Sequence, residues 1–288
     1  MDKYIDLHIH SNFSDDAEHS PQELVRRCKE AGVRIMAIAD HNTARANKIA
    51  QKEAERLGIK YIPAIEMTGV FNGIILHILG YGIDYESPDF QEAEENLRRQ
   101  QPEASRKRLE LTNKLGFNIT AEELGDVAWT GERFGEVLLA KEEYKDHELL
   151  KPYRAGGERE INPLVNIYWD FYSQGKPCFT EINYPSASEV IEIIHKNGGI
   201  AVLAHPGQNL GDNVAVLDEL RSLGLDGVEA FTSYHDLRIS TLWYEKAKSL
   251  NMTVTCGSDY HGKFKPNIKL GDSGCWIDLK EIEQKINF

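Results

Sequence analysis

Short apolar segments alternate with helical segments at both ends of the chain. "YIDLHI", "VRIMAIAD" and "IKYIPAIEM" have the branched, apolar composition of buried strands, and helical segments separate them. The alternation resumes beyond residue 180 with "IAVLAHPG", "LDGVEAF" and "MTVTCGSDYHG". Such alternation is typical of βαβ units, and it predicts an α/β fold with a parallel sheet or barrel of about six or seven units.

Local signals predict several boundaries. Ser20 with Glu23, and Ser186 with Glu189, have the spacing of helix capping boxes. Asn72-Gly73 predicts a tight hairpin turn. Between residues 86 and 180 the sequence becomes polar and mainly helical, as in "GERFGEVLLAKEEY". We therefore expect a barrel formed by residues 1–85 and 181–288, with a helical insertion over 86–180 that caps the active site.

Composition limits the partners of the chain. A formal net charge of −13 repels nucleic-acid backbones, so stable binding of a nucleic-acid duplex is not expected. The apolar stretches are too short to cross a bilayer, so no membrane partner is expected. The N-terminus has no secretion-signal pattern, which favours a cytoplasmic location. Four scattered cysteines fit reduced thiols: Cys28, Cys178, Cys256 and Cys275.

Residues that can bind metal ions fall where the predicted strands end. The carboxyl ends of parallel barrel strands open on one face, so residues distant in sequence would converge there. An HxH pair on a strand also places both rings on one side. Six of the ten histidines occupy strand ends or the hairpin. The convergent set is His8, His10, Asp40, His41, Glu66, His77, His205, Asp259 and His261.

The residue types indicate the kind of metal. Imidazole combined with carboxylate suits Zn, Mn and Fe. A carboxylate such as Glu66 can bridge two cations, and clustered divalent ions activate water and stabilise the attacking and leaving oxygens of a displacement. Each motif alone could also have a purely structural role. His77, for example, is flanked by Leu76 and Ile78, as is typical of a histidine packed in a core. Their joint occurrence at strand ends favours a metal site.

Five segments together resemble the motifs of the PHP (polymerase and histidinol phosphatase) family: "DLHIHSNFSD", "IADHN", "AIEMT", "AHP" and "GSDYH". The resemblance implies a distorted (β/α)7 TIM-like barrel that holds two to three divalent metal ions, Mn, Fe or Zn. It implies that Asp40 orients a ligand, and it favours Asp15 over Asp16 because "SNFSD" aligns with the family's serine-aspartate pair. The implied ligands are His8, His10, Asp15, His41, Glu66, His77, His205, Asp259 and His261.

The insertion resembles that of the small-phosphatase branch, which acts on nucleoside phosphates and short oligonucleotides. That branch tends to carry Gly-Arg-Pro-His at the start of an insertion helix, whereas this chain has Gly131-Glu132-Arg133-Phe134. Arg133, Arg154 and Arg159 are expected to hold a second phosphate or a nucleotide, because guanidinium matches phosphate oxygens; the alternative is solvated surface charge. His235 is expected to contact substrate or act as the acid, or to be an ordinary loop histidine.

The expected activity is hydrolysis of a phosphomonoester by a metal-activated hydroxide. With three divalent ions bound, the site formed by the nine ligands would have a net charge of about +3, which would attract phosphate. The expected partner is a small phosphorylated substrate, a nucleotide or nucleoside bisphosphate. Alternatives are a histidinol-phosphate phosphatase, a non-catalytic PHP binding domain, and a 5′-3′ exonuclease on short single-stranded nucleic acid. The exonuclease would need stacking aromatics, for which the candidates are Trp129, Tyr153, Tyr168 and Trp169.

Overall fold

The computed structural model describes residues 3–286. The strands are β1 (Ile5–Ile9), β2 (Ile35–Ile38), β3 (Lys60–Tyr61), β4 (Ala64–Phe71), β5 (Ile74–Tyr81), β6 (Ile200–Leu203), β7 (Gly227–Thr232) and β8 (Thr253–Gly257). The α-helices are α1 (Pro21–Glu30), α2 (Asn47–Leu57), α3 (Pro88–Lys114), α4 (Ala121–Leu124), α5 (Gly131–Ala140), α6 (Pro163–Ile167), α7 (Ala187–Lys196), α8 (Pro206–Leu210), α9 (Val216–Ser222), α10 (Leu237–Ser249) and α11 (Leu279–Lys285). Among the helices of the described chain, none combines the length and apolar character required to cross a membrane.

The strands of residues 3–286 form two sheets, with orders β1-β2-β3 and β4-β5-β6-β7-β8. Strand β5 runs antiparallel to both of its neighbours, β4 and β6. All other strand pairs of these two sheets are parallel. The fold is therefore mixed α/β, as expected, but its ladders do not close a continuous (β/α)7 barrel. The third strand expected from "IKYIPAIEM" is also divided, because Pro63 separates β3 from β4.

Two seams join the sheets at the strand ends. At the first seam, the Glu66 backbone N–H donates to the Asp40 carbonyl (3.1 Å), and the Asn42 N–H donates to the Glu66 carbonyl (2.7 Å). At the second seam, the Asp259 N–H donates to the His8 carbonyl (2.8 Å). Isolated parallel bridges mark both places, at His41 with Glu66 and at Ile9 with Tyr260. Four of the expected metal ligands, His8, His41, Glu66 and Asp259, thus lie where the sheets meet.

Several local predictions are confirmed. Ser186 and Glu189 form both halves of a capping box at the start of α7. At α1 only half forms: the Ser20 side chain accepts from the Glu23 N–H, while the Glu23 carboxylate pairs with neighbouring arginines. The hairpin turns at Asn72-Gly73, where both residues have positive φ (49° and 78°), as a type I′ turn requires.

Residues 88–172 contain the helices α3 to α6 and a π-helical turn at Tyr168–Tyr172. Their buried side chains, among them Phe117, Phe134 and Ile167, form a cluster separate from the two clusters around the strands. Lys263 forms an ion pair with Glu136 of α5 (3.1 Å), which ties this segment to the loop after β8. The mainly helical character expected of this segment is confirmed.

Asn47 fastens the loop that carries His41 to strand β4. Its buried amide donates to the carbonyls of Ala44 (2.9 Å) and Ala64 (2.8 Å). Its carbonyl oxygen accepts from the Ala64 N–H (2.8 Å) and the Tyr61 hydroxyl (2.9 Å). One side chain therefore satisfies four polar groups beside the first seam.

Asn47→Ala should lower the free energy of unfolding by about 2–4 kcal/mol, because it leaves several buried polar groups unpaired. Urea denaturation measures this change. Lys52→Ala, on the exposed side of the same helix, is the matched control and should shift the value by less than about 0.5 kcal/mol. Equal stability of the two variants would show that the Asn47 hydrogen bonds contribute little.

Candidate metal centre

Glu66 is a fully buried carboxylate at the centre of the site. Its Oε1 lies 3.0 Å from His77 Nδ1, 3.0 Å from His205 Nε2 and 3.4 Å from His8 Nε2. Its Oε2 lies 2.7 Å from His41 Nδ1 and 3.4 Å from His10 Nε2. The chain thus brings together histidines from the ends of three strands and from the hairpin, as the sequence predicted.

A second group of ligand atoms adjoins the first. Asp259 Oδ1 lies 3.1 Å from His10 Nε2 and 3.6 Å from His8 Nε2. The ring of His261 packs on that of His10, with centroids 4.0 Å apart. His8 and His10 therefore stand between Glu66 and Asp259, so the two carboxylates share histidine neighbours.

The structure distinguishes the two neighbouring aspartates, of which the sequence favoured Asp15. Asp15 is exposed, whereas Asp16 turns inward, with Oδ2 3.4 Å from His261 Nε2 and 3.7 Å from His41 Nε2. The physical reason is the turn that precedes them, in which the Ser14 N–H bonds to the Ser11 carbonyl (2.9 Å). This geometry favours Asp16 as the ligand in place of Asp15.

Three histidines are oriented through Nδ1. His8 Nδ1 lies 3.1 Å from both oxygens of buried Glu229, and His261 Nδ1 donates to the Asp259 carbonyl (2.9 Å). His10 Nδ1 lies 3.0 Å from the Ser14 hydroxyl. An Nδ1–H that donates outward leaves the lone pair of Nε2 directed into the site, which is the tautomer that a metal ligand needs.

Asp40 is buried behind the ligands and orients one of them. It accepts from the Ser14 hydroxyl (2.8 Å) and from the Ser11 N–H and hydroxyl (both 2.6 Å). Ser14 thereby links Asp40 to His10. Burial raises the pKa of Asp40 to about 6, although the serine hydrogen bonds oppose this shift. This placement fits the orienting role that the resemblance implied.

Buried atoms without a hydrogen-bond partner test whether the site fits metal ions. A buried polar atom left unpaired is costly, so a group of them facing one space needs an explanation. Three groups of residues could hold an ion, with ligand atoms within 4.8 Å of one another: two combine histidines with Glu66, and one consists of His10, His41 and His261. The unpartnered atoms of the described chain include His8 Nε2, His10 Nε2, Asp16 Oδ1, Glu66 Oε2, His205 Nδ1, Asp259 Oδ1 and His261 Nε2. The donor set fits divalent Mn, Fe or Zn.

The electrostatics of the site support this fit. Burial alone would raise the pKa of Glu66, but the surrounding histidines, led by His77, outweigh it and hold this pKa well below its usual range. Burial and the neighbouring His261 and His41 charges hold the pKa of His10 well below its usual range. Glu66 is therefore an anion and His10 a neutral imidazole at pH 7, which are the ligand forms.

Two ligands have strained backbones. His205 has a φ of 25° and Asp259 a φ of 55°, a region that non-glycine residues seldom adopt. Such strain persists only where surrounding contacts enforce it, and it concentrates at functional sites. Here the Glu229 carboxylate accepts from the His205 N–H (2.9 Å), and the second seam fixes Asp259.

The three arginines proposed to hold phosphate are engaged within residues 88–172. Arg133 donates to the Leu124 carbonyl (2.9 Å) and pairs with Glu136 (3.1 Å). Arg154 donates to the carbonyls of residues 139 and 144 (3.1 and 3.2 Å). Arg159 pairs with Asp170 (2.6 Å). Sequence alone could not show these backbone and carboxylate partners, and they leave the arginines as structural links in this conformation.

His235 also has internal partners. Its Nδ1 lies 2.9 Å from the Ala230 carbonyl, and its Nε2 accepts from the Gly207 N–H (2.9 Å). Burial lowers its pKa. Because both ring nitrogens bond to backbone, this geometry favours the loop-histidine reading over the proposed acid.

The expected stacking aromatics do not share one environment. Tyr153 is buried, and its hydroxyl donates to Asp170 (2.6 Å). Tyr168 and Trp169 are half-buried neighbours with ring centroids 5.3 Å apart, and the Trp129 indole donates to the Gly125 carbonyl (3.0 Å).

Sequence reasoning missed Glu229, Glu132 and Lys265. Glu229 stands inside an apolar strand, "GVEAF", and a buried carboxylate in such a strand was the available signal. Burial, with the nearby Asp16 charge, raises the pKa of Glu132 to about 7, which places this residue of α5 beside the site. Lys265 Nζ lies 2.7 Å from Asp259 Oδ2, and no motif pointed to it.

Asp16→Asn should reduce the divalent metal retained after dialysis, because the amide loses the charge that faces His41 and His261. Asp15→Asn is the matched control and should retain metal like the wild type, because its side chain is exposed. Elemental analysis of the three proteins measures the difference. A larger loss in Asp15→Asn than in Asp16→Asn would restore the original assignment.

Several characterised proteins are similar to the chain. A phosphoribosyl 1,2-cyclic phosphate 1,2-diphosphodiesterase from Eggerthella lenta is 28% identical over 264 residues, covering 90% of this chain and 94% of that protein. A 5′-3′ exoribonuclease from Haemophilus influenzae is 28% identical, with 91% of each chain covered. A 3′,5′-nucleoside bisphosphate phosphatase from Chromobacterium violaceum is 23% identical, covering 89% of this chain and 87% of that protein.

The fold is also found in a solved structure described as an amidohydrolase from Chromobacterium violaceum. The TM-score is 0.78 at 21% identity, covering 98% of this chain and 96% of that one. The PHP domain family matches residues 6–233, which include the ends of the first seven strands. The resemblance seen in the sequence is confirmed: the chain belongs to the PHP domain family.

Proposed function

We propose that the chain is a metal-dependent phosphoesterase that hydrolyses a phosphomonoester. The observation that carries this proposal is the convergence of unpartnered, buried ligand atoms around Glu66 and Asp259. The three relatives described above are all named for reactions at phosphate esters. Two to three divalent ions held here would activate water and neutralise charge on phosphate, the chemistry that the ligand set is suited to support.

The residues of the chain take distinct roles in this proposal. Glu66, central among the histidines, would be the carboxylate shared by two ions. His41 and His77 are more exposed than the other ligands, so they mark the side from which a phosphate would enter. Asp16 lies on the same side, beside His41. Glu229 holds its histidine in the ligand tautomer.

The helical segment would cover this entrance. Asn267 of the loop after β8 donates its N–H to Asn162 (3.3 Å), which adds to the Lys263–Glu136 pair. We treat residues 86–180 as the inserted cap, with the rest of the chain as a distorted PHP barrel. The fold similarity to the solved structure supports the barrel part of this division.

A nucleotide or nucleoside bisphosphate is the substrate class we propose first. The similarity to the bisphosphate phosphatase supports it. The second candidate is 5′-3′ exonucleolytic cleavage of short single-stranded RNA, which the similarity to the exoribonuclease supports. In either case the proposed partner is a small or short phosphorylated molecule. Arg133, Arg154 and Arg159 are engaged with internal partners. The part of the substrate that does not react would therefore have to be held by other residues.

A substrate panel with added Mn, Zn or Fe tests the activity and separates the candidates. It includes a nucleoside 3′,5′-bisphosphate, a 5′-phosphorylated short RNA, phosphoribosyl 1,2-cyclic phosphate, histidinol phosphate and p-nitrophenyl phosphate. We expect phosphate release, highest on the bisphosphate, that is abolished by chelator and restored by metal. Turnover unaffected by chelator would contradict the metal-dependent proposal.

Glu66→Gln should lower kcat by more than about 100-fold while the fold survives, because the loss lies in holding the ions together. Glu192→Gln, an exposed change on α7, is the control and should retain activity. Initial rates on the preferred substrate and circular dichroism of both variants provide the comparison. Near-normal turnover by Glu66→Gln would remove the bridging role.

A further inference from the structure

The loop after β8 carries a lysine in the wall of the metal centre. Lys265 is 8% exposed, and its Nζ lies 2.7 Å from Asp259 Oδ2. The same ammonium lies 5.2 Å from the ring centroid of Tyr234. A buried lysine is rare unless it is paired, so this contact with Asp259 has a role in the surroundings of that carboxylate.

The two oxygens of Asp259 have different tasks. Oδ2 accepts from Lys265, while Oδ1 has no hydrogen-bond partner and faces the Nε2 atoms of His10 and His8. The ammonium thus fixes the rotation of the carboxylate. A carboxylate held in this way offers one defined oxygen to the site and cannot turn its second oxygen toward the same point.

The position of Lys265 is set by the fold. Its N–H donates to the Gly262 carbonyl (3.1 Å), closing a turn directly after His261. The contacts of Lys263 with Glu136 and of Asn267 with Asn162 fasten the same loop on both sides of Lys265. Burial raises the pKa of Glu132, and the Lys265 charge acts against this rise, so the ammonium also lies near a carboxylate of α5.

We infer that Lys265 is a positioning residue, which holds Asp259 with Oδ1 directed into the metal centre. This inference rests on the proposed metal-dependent function. Without the ammonium, Asp259 Oδ2 would lose its only charged hydrogen bond in the described chain, and the rotation of the carboxylate would be less constrained. Metal affinity should then fall, although Lys265 itself contacts no ion.

The test compares Lys265→Met, Lys265→Arg and the matched control Lys269→Met. The Kd for Mn²⁺ is measured by titration of chelator-treated protein, with phosphatase assays alongside. We expect Lys265→Met to weaken Mn²⁺ binding by about 10–100-fold, the range for loss of a residue that orients a ligand. Lys265→Arg should restore most of this affinity, and Lys269→Met, which changes an exposed lysine of the same loop, should match the wild type.

Thermal unfolding of the metal-free proteins reports whether each variant folds, and Lys265→Gln replaces Lys265→Met if that variant does not. Wild-type affinity in the methionine or glutamine variant of Lys265 would overturn the inference, as would an equal loss in Lys269→Met. An increase in KM with unchanged Mn²⁺ affinity would also overturn it, since Lys265 would then bind substrate. If the wild type bound none of Mn²⁺, Zn²⁺ and Fe²⁺, the proposed function itself would be overturned. The titration of the wild type gives this result whatever the variants show.

Discussion

The burial of the Glu66 carboxylate is the constraint on which the rest of the site depends. An isolated carboxylate removed from water costs several kcal/mol, even after the surroundings relax. The chain offsets this cost by bringing histidines from distant segments within 3.4 Å of its oxygens. Burial lowers the pKa of His8 and of His41, but the neighbouring carboxylates outweigh it and raise each pKa well above its usual range, so protons on these histidines offset part of the Glu66 charge. Divalent ions would complete the compensation, and the same charge would attract phosphate.

The seams between the sheets are what make this compensation possible. Each seam uses backbone hydrogen bonds from residues that are, or adjoin, expected ligands: Glu66 at one, His8 and Asp259 at the other. A continuous ladder would fix the strand ends at uniform spacing. Isolated bridges instead let the chain bend, and Asp259 takes its positive φ at this point. The interruption of the barrel and the geometry of the ligands therefore have a common origin.

The sequence was sufficient where the argument used periodicity and strand ends. Glu66 and His10 could be placed because a strand fixes which side chains share a face. Asp16 could not, because two adjacent aspartates in an irregular turn have no period to distinguish them, and the direction of each depends on the Ser11–Ser14 turn. The partners of the arginines could not be predicted for a related reason: whether a guanidinium faces solvent or a carbonyl such as that of Leu124 depends on how helices pack. The antiparallel direction of β5 follows from the hairpin, which the sequence did predict.

The residues that orient the expected ligands surround the site, and they come from several different elements of the fold. Glu229 comes from a central strand, Ser14 and Asp40 from the loops after the first two strands, and Lys265 from the loop fastened to the helical segment. Each holds one ligand in one rotation or tautomer, so the ligand atoms are prearranged before any ion is bound. Prearrangement requires that these partners be rigid, and burial provides that rigidity. Because Lys265 belongs to a loop held by Glu136, a change in the packing of the helical segment would reach Asp259 through one lysine side chain.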